Sequence, residues 1–131
     1  MRREQWEEIK YFKYTEFNSP DNNRSGLLMD YDFVKLLDKI RGIYGHPIII
    51  NSGFRTKEHN QKLIDIGMKA SPNSSHIKGI AADIKCTDSI SRGALLDILF
   101  SLGVKRIGIA QRFIHLDIDK NKINAVWLYN H

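Results

Sequence analysis

The chain has 131 residues, 42% of them hydrophobic, which is the length of one domain and enough apolar content to bury a core without a disulfide or structural metal. A single cysteine, Cys86, excludes an intrachain disulfide and a Cys-rich zinc module. No apolar run approaches the ~20 residues of a membrane span, and the opening Met1–Glu8 has no apolar stretch of the kind a secretory leader carries. The net charge of +5 favours anionic partners, yet no run of five or six Lys/Arg occurs and the scattered charge reads as a solvated surface.

The first 26 residues read as an arm and loop packed on a single domain spanning 1–131. Trp6, Tyr11, Phe12, Tyr14 and Phe17 supply its apolar contacts, and Asn18–Gly26 is dense in turn formers. From Asp30 to Tyr44, apolar residues at Phe33, Leu36, Leu37, Ile40 and Ile43 follow helical spacing, with Asp30 as N-cap and Gly45 as stop. Pro47–Asn51 reads as a short buried strand. Thr56 caps a helix running to about Ile66 and ended by Gly67. Ala70–Lys78 is a polar loop, Ile80–Cys86 a strand, and Ser89–Leu102 a second long amphipathic helix. Three strands close the chain, Arg106–Ala110, Phe113–Ile118 and Ile123–Leu128, separated by Gln111-Arg112 and Asp119–Lys122. Early helices and late strands give an α+β class, with helices on one face of a mainly antiparallel sheet.

Three polar clusters carry candidate chemistry. In Ser74–Asp83, His76 and Asp83 lie seven positions apart, which on one straight strand puts them on opposite faces. They converge only if His76 sits in the preceding loop and the chain bends, for which Gly79 is suited; a capping His and a turn-forming Asp are the other reading. In Phe113–Ile118, His115 and Asp117 share a strand face while Ile114, Leu116 and Ile118 share the buried one. A metal-linked pair and a purely structural His–Asp pair both fit. His76, Asp83 and His115 together form a two-histidine, one-carboxylate set that suits zinc with a fourth position open for water, as catalytic rather than structural sites require. In Ile50–Thr56, Arg55 follows a strand, where its planar fork can clamp a carboxylate or steady an oxyanion, or merely pair with a surface acid.

Ser52-Gly53-Phe54-Arg55-Thr56-Lys57-Glu58-His59-Asn60, Ser75–Asp83, Gly108-Ile109, Phe113–Asp117 and Trp127 occur in an order that resembles the zinc D-Ala-D-Ala carboxypeptidase-like peptidases. These belong to the LAS metallopeptidase group, which shares its fold with the hedgehog signalling domain. The similarity covers roughly residues 10–128 and is greatest to the small cell-wall peptidases of phages and bacteria. It implies a hedgehog-like α+β fold and Zn²⁺ on His76, Asp83 and His115. It also implies that Arg55 holds the substrate carboxylate or the oxyanion, and that Ser75 lines the cleft. Several branches carry an acidic base three residues before the last ligand, where this chain has Arg112. Asp117 is the candidate catalytic residue in its place, either as base or as a group orienting a ligand. His59 reads as a hydrogen-bonded structural residue, and Tyr129 and His131 take no assigned role.

The resulting expectation is a monomeric zinc peptidase that hydrolyses D-amino-acid-containing bonds of peptidoglycan peptides by zinc-activated water, with neither nucleic acid nor membrane as partner. Lacking a leader, it would be made in the cytoplasm and reach the wall through phage lysis or virion delivery. The rival is a catalytically inactive, zinc-containing wall-binding or virion module, favoured by Arg112.

Overall fold

The computed structural model describes residues 1–68 and 70–129. Helix α1 is Arg3–Glu7 and α2 is Tyr31–Tyr44. The Asp30 carboxylate accepts the Phe33 N–H at the start of α2, and Gly45 ends the helix in the left-handed region. Thr56 caps α3 (Lys57–Asp65) in the same way, and Asp88 caps α4 (Ser89–Ser101) by accepting from Ser91. Phe33, Val34, Leu37 and Ile40 form the buried stripe of α2, and Leu95 and Leu99 that of α4.

The strands are β1 (Ile50–Ser52), β2 (Ala81–Lys85), β3 (Arg106–Ile109), β4 (Phe113–Asp117) and β5 (Ala125–Leu128), in the spatial order β1-β2-β4-β3-β5. All neighbours are antiparallel except β3 and β5, so the fold is α+β with a mainly antiparallel sheet. Alternation along the strands sends Ala82, Ile84, Ile107, Ile114 and Leu116 into one core with the buried residues of α2 and α4. Ile9, Phe12 and Phe17 of the opening segment enter the same core, Phe12 and Phe17 meeting edge to face at 5.6 Å. Leu63 of helix α3 lines the cleft described below. No described helix is long and apolar enough to cross a membrane.

Two strands differ from their expected form. The expected buried strand at Pro47–Asn51 is shorter and later, with Ile49 exposed. It pairs only with β2, so it is an edge strand with a half-buried pattern. β5 begins at Ala125 rather than Ile123, leaving Ile123 exposed, and runs parallel to β3. The connection from Asp119 to Asn124 therefore crosses the end of β3 instead of turning tightly. The consequence is a row of registered residues across the solvent-side face: Asp83 opposite His115, His115 opposite Gly108, and Gly108 opposite Trp127.

Candidate metal centre and cleft

His76 lies in a single 3₁₀ turn, Ser75–Lys78, whose start is fixed by the Ser74 hydroxyl accepting the His76 N–H. The turn ends at Gly79, with φ +73°. A Cβ at Gly79 would meet the Leu28 carbonyl oxygen at 2.7 Å and Met29 Cα at 3.0 Å, so a side chain is excluded by both conformation and space. The Gly79 carbonyl accepts the Asp30 N–H at 2.9 Å. This bend brings His76 back over the sheet to meet Asp83, which a continuous strand cannot do.

One potential ligand atom from each of His76, Asp83 and His115 lies within 4.8 Å of the others. Asp83 Oδ1 is 3.4 Å from His76 Nε2 and 2.8 Å from His115 Nδ1. The remaining nitrogens point away and are held. His76 Nδ1 is 2.8 Å from the Gly53 carbonyl oxygen, and His115 Nε2 is 2.8 Å from Asp117 Oδ2. A carbonyl can only accept, so His76 carries a proton on Nδ1 and turns Nε2 towards Asp83. An imidazole anchored through one nitrogen and free at the other is the arrangement a metal ligand needs. Donor set, spacing and anchoring all fit a divalent ion of the zinc type, with His76 Nε2, an Asp83 oxygen and His115 Nδ1 as its protein ligands.

The electrostatics agree. Burial opposes ionisation of Asp83, but hydrogen bonds to His115 and His76 outweigh it and hold the carboxyl well below the usual range. Burial likewise opposes a charged His115, yet Asp117 and Asp83 on its two nitrogens raise it above an ordinary imidazole. The carboxylates thus favour a positive charge where a cation would sit.

Asp117 is buried and fully engaged. Oδ2 faces His115, while Oδ1 accepts from Arg106 Nε at 2.8 Å and from the Asp119 N–H at 3.0 Å. Although burial opposes it, these donors keep the Asp117 carboxyl below its usual range. It lies behind the imidazole, on the far nitrogen from Asp83, and of the two roles open to it in the sequence these contacts match the orienting one.

The triad forms the floor of a cleft of about 580 Å³. Arg55 enters from the β1–α3 connection, with Nη1 donating to Asn60 Oδ1 at 3.0 Å and Ser74 Oγ at 3.4 Å, and Nη2 to Ser52 Oγ at 3.4 Å. No carboxylate among the described residues lies within ion-pair distance of it. Burial lowers its pKa, opposed by the more distant Asp83 and Tyr129, and a guanidinium remains charged. An oriented cation without a carboxylate partner, facing a cleft, is suited to an anionic ligand. Ser75 also lines the cleft, donating to Asp119 Oδ2 at 2.7 Å and accepting from Lys122 Nζ at 2.9 Å.

The opposite wall is aromatic. Phe113 and Tyr129 pack at 5.1 Å between centroids, and Trp127 lies 5.5 Å from the His115 ring. The wall closes over Gly108, where a Cβ would be 2.6 Å from both Trp127 Nε1 and Tyr129 Cε2. Burial raises the Tyr129 phenol above its usual pKa, which keeps it protonated and uncharged.

His76, Asp83, His115, Arg55, Ser75 and Asp117 therefore meet in one cleft. Arg112 stands outside it, exposed in the turn before β4 and lining a neighbouring groove. His59 is not among the cleft residues; its N–H completes the Thr56 cap. His131 lies outside the described residues. Sequence reasoning missed Arg106, Asp119, Lys122 and the cleft role of Tyr129. Arg106 is opposite Asp117 only through the β3–β4 register, and Lys122 reaches Ser75 only because the β4–β5 connection crosses the sheet end; neither leaves a local signal.

Two histidines and a carboxylate at the floor of an open cleft beside an unpaired arginine define a metallopeptidase type of site. Residues 10–117 match the family model described as Peptidase M15. The chain belongs to the M15 peptidase family, whose members are zinc-dependent and act on peptidoglycan-related substrates. No curated protein sequence matches the chain significantly.

Proposed function

We propose that this protein is a zinc peptidase that hydrolyses D-amino-acid-containing bonds in peptidoglycan stem or cross-link peptides. The observation carrying this reading is the convergence of His76 Nε2, Asp83 and His115 Nδ1, each imidazole held from behind, on the cleft that Arg55 enters. His76, Asp83 and His115 would hold Zn²⁺, which when bound supplies water activated at neutral pH and a Lewis acid for the scissile carbonyl. Arg55 binds and orients a substrate carboxylate, or the oxygen that gains charge in the transition state. Asp117 keeps the His115 proton on Nε2, so that Nδ1 stays free as a ligand; it is a positioning residue. Phe113, Trp127 and Tyr129 provide an apolar wall for the peptide. The chain acts as a monomer, without nucleic acid or membrane, and reaches the wall through phage lysis or as part of a virion.

One feature supports the rival reading of a zinc-containing module without turnover. The cleft's carboxylates among the described residues are Asp83 and Asp117, and both are engaged. A single experiment separates the two. Purified peptidoglycan and synthetic stem peptides are incubated with the zinc-loaded chain and with His76→Ala, and the released fragments are identified by mass spectrometry. Fragments cut at a D-amino-acid bond by the parent alone support the peptidase. Zinc binding with no cut at any bond would establish the module.

A further inference from the structure

We infer that Lys122 is a second carboxylate anchor in the cleft, making the site selective for a stem peptide that carries a free side carboxylate in addition to the one held by Arg55. This rests on the peptidase reading above and goes beyond it, because it names the form of the stem peptide that the site prefers.

The inference follows from the charge balance around Asp119. This carboxylate is buried, its side chain 1% exposed. Its oxygens are already served by the Ser75 hydroxyl at 2.7 Å, Lys78 Nζ at 3.1 Å and the Asn121 N–H at 3.1 Å. Lys78 neutralises it. Lys122 Nζ is 3.7 Å from the same oxygen, beyond hydrogen-bond distance. Two ammonium groups therefore attend one carboxylate, and Lys122 is the surplus cation.

Lys122 is also fixed in place rather than free in solvent. Its side chain is 24% exposed, lines the cleft and donates to Ser75 Oγ at 2.9 Å. An ammonium has three donors, and among the described residues one of them has an acceptor within reach. The neighbouring cations are accounted for: Arg106 is paired with Asp117 at 2.8 Å, and Asp83 is taken up by the two histidines. Arg55 thus has no carboxylate within ion-pair distance, and Lys122 has only a distant share of one that Lys78 already neutralises; the two cleft cations are held by the adjacent residues Ser74 and Ser75 respectively. A ligand that satisfies both has two carboxylates. Stem peptides offer this when the isoglutamyl or diamino-acid carboxylate is free, and lose it when that group is amidated. Ser75 acts through Lys122, orienting the ammonium.

The test uses two synthetic stem peptides with the same free terminal carboxylate. One has free isoglutamyl and diaminopimelyl carboxylates, and in the other both are amidated. Binding is measured by calorimetry on the full chain before and after zinc loading, and hydrolysis by the loaded chain gives kcat and KM. The free peptide is expected to bind about tenfold more tightly, as for one charge-assisted hydrogen bond, and to show its advantage in KM. Lys122→Met should reduce this preference to within about twofold, while Lys122→Arg should keep part of it at an unchanged melting temperature. Equal binding of the two peptides by the parent, or a preference that survives Lys122→Met, overturns the inference while leaving the peptidase reading intact if both are cut. Failure of the parent to bind or cut either peptide removes both readings together.

Discussion

Asp117→Asn tests how the metal centre is assembled. Three donors converge on the Asp117 carboxylate: His115 Nε2 at 2.8 Å, Arg106 Nε at 2.8 Å and the Asp119 N–H at 3.0 Å. An asparagine offers one oxygen and one NH₂ group. With the NH₂ towards Arg106 and Asp119, two donors face a donor in a buried site. With the NH₂ towards His115 there is one conflict, which the imidazole can relieve by moving its proton from Nε2 to Nδ1. The second arrangement is the less costly one, and it places the proton on the nitrogen that faces Asp83 and the metal position. Zinc affinity should therefore fall ~10–100-fold, the usual cost of losing the group that orients a metal-bound histidine, equivalent to about 1.4–2.7 kcal/mol. Affinity is measured by competition against a chromophoric zinc chelator, and peptide hydrolysis is followed at rising zinc concentration. The variant should recover part of its rate when zinc is in excess. The reasoning is refuted if zinc affinity stays within about twofold of the parent while the rate falls ~10²–10⁴-fold, since that pattern belongs to a lost general base. It is refuted equally if neither quantity changes.

Further expectations concern the rest of the site. Chelator treatment should abolish hydrolysis and Zn²⁺ should restore it, with one zinc per active chain by elemental analysis; an active, as-purified protein without zinc would contradict the ligand assignment. Arg55→Lys keeps the charge but loses the planar fork, so turnover should drop ~10²-fold at an unchanged far-ultraviolet circular dichroism spectrum; an unaltered rate would remove the clamp role. Gly108→Ala drives a methyl into Trp127 and Tyr129, so it should raise KM and alter tryptophan fluorescence while zinc content is retained, and parental kinetics would show that the aromatic wall is dispensable. Asp119→Asn leaves Lys78 without its buried counter-ion and should cost about 1–3 kcal/mol in thermal or urea unfolding. Burial opposes ionisation of Asp119, but Ser75 and Lys78 hold its carboxyl below its usual range. Its contribution is therefore complete above the unfolded value of ~3.9 and is lost as pH falls through the lower folded value; a parent–variant difference that instead vanished above neutral pH would contradict this pairing.

The local elements of this chain are written in its sequence because their causes are local. Asp30 and Thr56 cap the helices that follow them. The apolar stripe of α2 and the alternation of Ile114 and Leu116 against His115 and Asp117 assign the apolar core face and the polar face without reference to any other segment. The candidate ligand types and their order were legible for the same reason: two histidines and an aspartate at uneven spacing, with Gly79 as the bend that lets them converge. What the sequence left open is set by contacts between distant segments. Whether Asp117 faces water or the back of an imidazole depends on β4 lying between β2 and β3, which places Arg106 opposite it. The β4–β5 connection resembles a simple turn in sequence, yet it carries Asp119 and Lys122 to Ser75 because β5 pairs parallel to β3 on its far side. Arg55 has the same local pattern whether it pairs with a surface acid or faces a cleft. Ser52, Asn60 and Ser74, brought together from three segments, hold it in the cleft. Register and strand order are cooperative properties of the whole sheet, fixed by which apolar faces can be buried together, and they decided which charges meet at the metal centre and which remain for a ligand.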